Sequence, residues 1–116
     1  MNLDPKLKDE ISRLHAQICA GLADPTRILI LYSLSEKPCS VSELTLRLES
    51  PQPTVSRHLQ ILRERNMVHA EREGSNVIYS LVDIRVIEAL DLMRSVLADV
   101  LKKQASLISS ETNLDS

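Results

Sequence analysis

The sequence predicts a mainly α fold with one β-hairpin, and three observations carry that expectation. Apolar residues recur at helical spacing along most of the chain. Prolines and capping residues cut that pattern into separate helices. Near residue 74, Gly74-Ser75 separates two runs of strand length, a hairpin signal. The 116 residues suffice for one domain near the small end for a self-sufficient core. Hydrophobic residues make up 43%, but Tyr32 and Tyr79 are the only aromatics, so the core has to be aliphatic. A small, elongated helical chain of this kind often completes its core by dimerising.

Leu7, Ile11, Leu14, Ile18 and Leu22 step by three and four, which predicts an amphipathic helix over roughly residues 5–21, closed by Gly21. Asp24 then caps a second helix that starts on Pro25, a position needing no N–H. Ile28, Leu29, Leu31 and Leu34 are expected to bury it, and Lys37-Pro38 ends it. Ser40 and Glu43 form a Ser-x-x-Glu capping box for a third helix, Val41–Leu48, with Leu44 and Leu48 facing inward. Pro51 and Pro53 mark the first turn of a fourth helix, and Asn66 is its expected left-handed stop. Val68–Glu73 and Asn76–Leu81 are the hairpin strands. Asp83 caps a last helix in which Val86, Leu90, Met93, Leu97 and Val100 alternate steps of four and three. Ile84, Ile87, Ala89, Leu92 and Val96 widen its apolar surface. Periodicity fades after Gln104, so the expected division is a folded region, 1–104, and a flexible polar tail, 105–116.

The fourth helix is the most informative segment. Val55, Leu59 and Leu62 recur at i, i+4 and i+7 as a buried stripe. Thr54, Ser56, Arg57, His58 and Gln60 fill the rest of its surface with short hydrogen-bonding groups and one planar cation. Such a face suits a DNA major groove, where Gln, Ser and Arg bond base edges and phosphates. The formal net charge of −2 opposes DNA binding, but distribution matters more than the sum. Arg57, Arg63, Arg65 and Arg72 outweigh Glu64 and Glu71 across residues 57–72. The charged N-terminus lacks the apolar run of a signal peptide, and no stretch is long enough to span a membrane. A cytoplasmic protein with free thiols and no membrane partner is therefore expected. No Ser-His-Asp, metal or phosphate-cradling arrangement speaks for an enzyme, and there are only two glycines.

Four blocks carry a family resemblance: Ala-Asp-Pro-Thr-Arg at 23–27, Ser-Val-Ser-Glu-Leu at 40–44, Gln-Pro-Thr-Val-Ser-Arg-His-Leu at 52–59, and Arg-Glu-Gly-Ser-Asn-Val-Ile-Tyr-Ser-Leu at 72–81. In that order and spacing, from about Leu14 to Leu101, the chain resembles the ArsR/SmtB family of small repressors, which sense metals or thiol chemistry. The resemblance implies a winged helix-turn-helix that dimerises through its first and last helices, using Leu7, Ile11, Leu14, Leu90, Met93, Leu97 and Val100. It implies a repressor on a double-stranded operator with two-fold symmetry, released by a ligand or a thiol modification. Gln52, Pro53, Thr54, Ser56, Arg57, His58 and Gln60 would face DNA, joined by Arg72, Ser75 and Asn76 at the hairpin tip. The competing reading is a winged-helix protein-interaction module without DNA binding.

The family's metal positions are altered. Many members have Cys-Val-Cys where this chain has Ser40-Val41-Ser42. In the last helix, Asp83 and Asp99 fall on ligand positions, but Arg85 and Val96 replace histidines. No resident metal is expected at either site. Cys19 and Cys39 leave two readings open. They are small buried hydrophobes, or they form a sensor for a thiophilic metal, a metalloid or thiol oxidation.

Overall fold

The computed structural model describes residues 2–114, with side chains described for residues 2–110. They fall into two compact units that divide after Ile84.

The first unit opens with α1, Pro5–Leu14, whose start is capped by the Asp4 carboxylate accepting the Lys6 N–H at 3.0 Å. Its path continues into one π-helical turn, His15–Cys19, closed by the Ala20 N–H donating to the His15 carbonyl at 2.9 Å. The expected role of Gly21 as a left-handed stop is not what the backbone shows, because Gly74 is the glycine with positive φ. At Gly21 the missing side chain makes room instead: a Cβ there would lie 2.6 Å from the Met67 sulfur.

Helix α2, Pro25–Glu36, starts as expected, with Asp24 accepting the Thr26 N–H at 2.8 Å. Its buried residues are Ile30, Leu31 and Leu34, whereas Leu29 is 54% exposed. At 100° per residue, positions 29 and 31 point to opposite sides, so a helix that buries Leu31 with Leu34 turns Leu29 outward. A short strand follows, β1, Cys39–Ser40, which the sequence pattern did not reveal. The capping box then forms as expected at α3, Val41–Leu48: Ser40 Oγ accepts the Glu43 N–H at 3.2 Å, and Glu43 accepts the Ser40 N–H at 3.1 Å.

Helix α4, Gln52–Glu64, begins after Pro51 without a side-chain cap. Asn66 ends it with φ 58°, the left-handed stop expected of it. Strands β2, Val68–Glu73, and β3, Asn76–Leu81, have the expected bounds and pair antiparallel, from Val68↔Leu81 to Glu73↔Asn76. Gly74 turns the hairpin at φ 62°. β1 adds to the other edge of β3, with Cys39 opposite Tyr79, so the sheet order is β1-β3-β2. The core of this unit is aliphatic, as expected: Ile30, Leu31, Leu44, Val55, Leu59 and Leu62 are fully buried, together with Cys39.

The second unit is α5, Arg85–Leu114. As far as Leu114, helix stands where a flexible tail was expected after Gln104, and residues 115–116 of that expected tail lie outside the described residues. Lys, Gln, Ala and Leu around that point are good helix formers, and extending a formed helix adds one hydrogen bond per residue fixed. Loss of the apolar period there means only that the helix has no face to bury, and its described side chains beyond Gln104 are exposed.

Candidate nucleic-acid interface

Helix α4 presents two unlike faces. Val55, Leu59 and Leu62 are fully buried against the unit's core, while Gln52, Pro53, Ser56, Arg57 and Gln60 are exposed and Thr54 is half-buried. Gln60 is held along the helix by donating to the Glu64 carboxylate at 3.1 Å. At the hairpin tip Arg72, Ser75 and Asn76 are exposed beside Gly74. Donors of this kind on a rigid helix and a tight turn suit phosphates and base edges.

His58 does not belong to that face. It is 6% exposed. The reason is positional: 55, 58, 59 and 62 form the i, i+3, i+4, i+7 set, so His58 completes the buried stripe rather than the polar surface. An Arg27 guanidinium nitrogen lies 3.1 Å from its Nδ1, and Asp24 Oδ1 lies 3.8 Å from its Nε2. Arg27 also donates to the carbonyls of Gly21 at 2.7 Å and Ala20 at 3.3 Å. Burial raises the Asp24 pKa, but the Thr26 N–H, His58 and Arg27 outweigh it and hold the carboxyl below its ordinary range. The pattern of apolar residues alone did not expose this cluster. The signal for it was an Arg in the first turn of one helix and a His at an inward position of another.

The two cysteines lie in different settings. Cys39 is fully buried, its thiol donating to the Lys37 carbonyl at 3.4 Å, with an Arg47 nitrogen 3.8 Å from the sulfur. Arg47 also pairs with Glu36, and that bond, followed by the one to Cys39, makes the guanidinium more basic than usual. Cys19 is exposed, which removes it from the expected pair of buried hydrophobes. Arg27 ties residues 20 and 21 to the start of α2, and Cys39 follows its end. The 12 residues of α2 thus lie between the two cysteines in the chain, and both are free thiols. Ser40, at the altered metal position, has its hydroxyl oxygen engaged in the capping box. Among the described residues no group of three or more His, Cys, Asp or Glu could hold a metal ion.

The family model described as bacterial regulatory protein, arsR family, matches residues 24–70, from the Asp24 cap through α4 into β2. An uncharacterized HTH-type transcriptional regulator of Methanocaldococcus jannaschii is 40% identical over 79 residues, covering 67% of this chain and 89% of that protein. The chain belongs to the arsR family. It is a DNA-binding transcriptional regulator, and α4 with the β2–β3 hairpin is its helix and wing. The HTH-type transcriptional repressor SmtB of Mycobacterium tuberculosis is 42% identical over 74 residues, covering 64% of this arsR-family chain and 55% of the repressor. The crystal structure of Rv0081 from the same organism superposes with a TM-score of 0.72 at 35% identity, covering 89% of this chain and 99% of that one.

Proposed function

We propose that this arsR-family regulator is a cytoplasmic repressor that works as a homodimer on an operator with two-fold symmetry. The carrying observation is α4 itself: a fully buried stripe of Val55, Leu59 and Leu62 opposite an exposed row of Gln52, Ser56 and Arg57. In this reading α4 enters the major groove, Arg57 reads a base, and Gln52, Pro53, Thr54, Ser56 and Gln60 bond or pack near the backbone. Arg72, Ser75 and Asn76 reach the neighbouring groove or phosphates. Two copies are needed because one recognition helix meets only half of such an operator. Exposed Leu7, Ile11 and Leu14 on α1, and Met93, Leu97 and Val100 on α5, supply the apolar surface for pairing. Leu90, expected in the same stripe, is only 5% exposed in the single chain and offers little to a partner.

Arg57→Ala tests the reading. If Arg57 reads a base, anisotropy titrations should show specific binding weakened by about 1–3 kcal/mol and discrimination at one position relaxed. A uniform loss on all DNA, with a shallower salt dependence, would assign Arg57 to phosphate. Unchanged affinity on every duplex would remove α4 from the interface.

For the signal, exposure singles out Cys19 as the thiol that a thiophilic metalloid or an oxidant reaches first. Release of DNA by diamide, polysulfide or arsenite should disappear in Cys19→Ser and persist in Cys39→Ser. An identical response of wild type and both variants would place the inducer elsewhere.

A further inference from the structure

Aliphatic contacts hold α4 in the core, but they are poorly directional: a helix seated on Val55, Leu59 and Leu62 can roll or slide by fractions of an ångström at small cost. Reading bases tolerates little of this, since a productive contact needs its groups within about 0.5 Å of the right place. Hydrogen bonds are directional, and α4 has them at two points. Midway along the helix, His58 meets Arg27. At its end, Arg65 donates to the carbonyls of Ala16 and Gln17, and Gln17 donates back to the Arg65 carbonyl at 2.9 Å. Arg27 is itself anchored on Ala20 and Gly21. Both ties therefore run to one short segment, residues 16–21, between α1 and α2.

The first tie is the buried one. A guanidinium has donors and no acceptor, so Nδ1 is the accepting atom of the contact with Arg27, and Nε2 is the ring nitrogen turned toward Asp24. His58 stands directly between Arg57 on the exposed face and Leu59 in the core. Its rotation about the helix axis is that of Arg57.

We propose that Arg27 and His58 are positioning residues for DNA reading: Arg27, braced on the Ala20 and Gly21 carbonyls, holds His58 Nδ1 and so sets the roll of α4 that aims Arg57. Neither side chain touches DNA. The pair acts on specificity, and its loss leaves the general attraction to phosphates in place. This rests on α4 being the reading helix, as proposed above.

The test uses the full-length protein, a duplex selected by the wild type from a random-sequence library, and an unselected duplex of equal length. His58→Leu fills the space without an acceptor. His58→Asn places an amide oxygen where Nδ1 accepts. Arg27→Met removes the donor. His58→Leu and Arg27→Met should bind the selected duplex about tenfold more weakly or worse, as expected for losing a hydrogen bond to a charged group, while binding unselected DNA as before. His58→Asn should restore discrimination. Arg27→Met/His58→Leu should be no weaker than either single variant, because both remove the same tie. That double variant leaves no part-buried guanidinium without its acceptor, so it keeps the test open if His58→Leu fails to fold. Wild-type discrimination in His58→Leu or in the double variant would overturn the proposal. So would equal losses on both duplexes accompanied by a lower melting temperature, which would make the pair a fold-stabilising contact only. Failure of the wild type to select any duplex would instead sink the DNA-reading role of α4 itself.

Discussion

The residues before Ile84 and helix α5 draw on the same aliphatic vocabulary and treat it in opposite ways. In the first unit Ile30, Leu31, Leu44, Val55, Leu59 and Leu62 are fully buried within one chain. In α5 Leu92, Met93, Val96, Leu97, Val100 and Leu101 are 45–70% exposed. The difference is one of geometry. Short helices linked by tight turns and a three-stranded sheet can close around a shared interior. In the 30-residue α5, Ile87 and Leu90 near its start are buried, but every side chain from Asp91 to Ser110 is exposed. Apolar surface in the first unit is thus a property of folding, and in α5 it is available for association. The contrast explains how a chain with two aromatics can close an aliphatic core in its first unit while leaving a long apolar surface on α5 exposed.

The sharpest way to break the contrast is to charge the exposed side. Met93→Glu with Leu97→Glu should give a monomer in sedimentation velocity that no longer binds operator DNA, with the winged unit's circular dichroism retained. A monodisperse wild-type monomer at micromolar concentration would show that the stripe serves something other than self-association. A smaller loss is expected from the closed side. Leu59→Ala leaves a cavity in a packed interior and should cost about 2–5 kcal/mol in denaturant unfolding. The equivalent Leu92→Ala, on a side chain 70% exposed, should change monomer stability far less. Similar costs at the two sites would erase the distinction.

The smallest effect is expected at the start of α3. Ser40→Ala removes one arm of the α3 capping box and should cost about 0.5–2 kcal/mol. The Ser40 backbone N–H, followed by Lys37, holds the Glu43 carboxyl below its ordinary value of 4.5. A carboxylate whose pKa is lower folded than unfolded stabilises the fold above the unfolded value and loses that contribution as pH falls through the folded one. The stability gap between wild type and Glu43→Gln should therefore be widest above pH 4.5 and narrow as acid is added. A gap that widens in acid would contradict this arrangement.

Much of the architecture was written in local chemistry that needs no partner to be read. Asp24-Pro25, the Ser40–Glu43 box, Asn66 and Gly74 each act within a few residues, through a cap, a fixed φ or a left-handed turn. For that reason the starts of α2 and α3, the end of α4 and both hairpin strands agree with the sequence reading. So does the division of α4 into a buried stripe and a polar face. Tertiary structure decided whatever depended on distant residues. β1 exists because Cys39 and Ser40 find β3 across an interval of nearly forty residues, and two residues carry no period of their own. Gly21 is a glycine because Met67 approaches it. His58 passed for a DNA contact because a polar residue at an inward helical position looks solvated until its partner is known, and that partner, Arg27, lies 31 residues earlier. Local rules set the ends of elements; burial and hydrogen bonding between elements decide which face of each side chain's chemistry is used, and those interactions have no counterpart in a linear pattern.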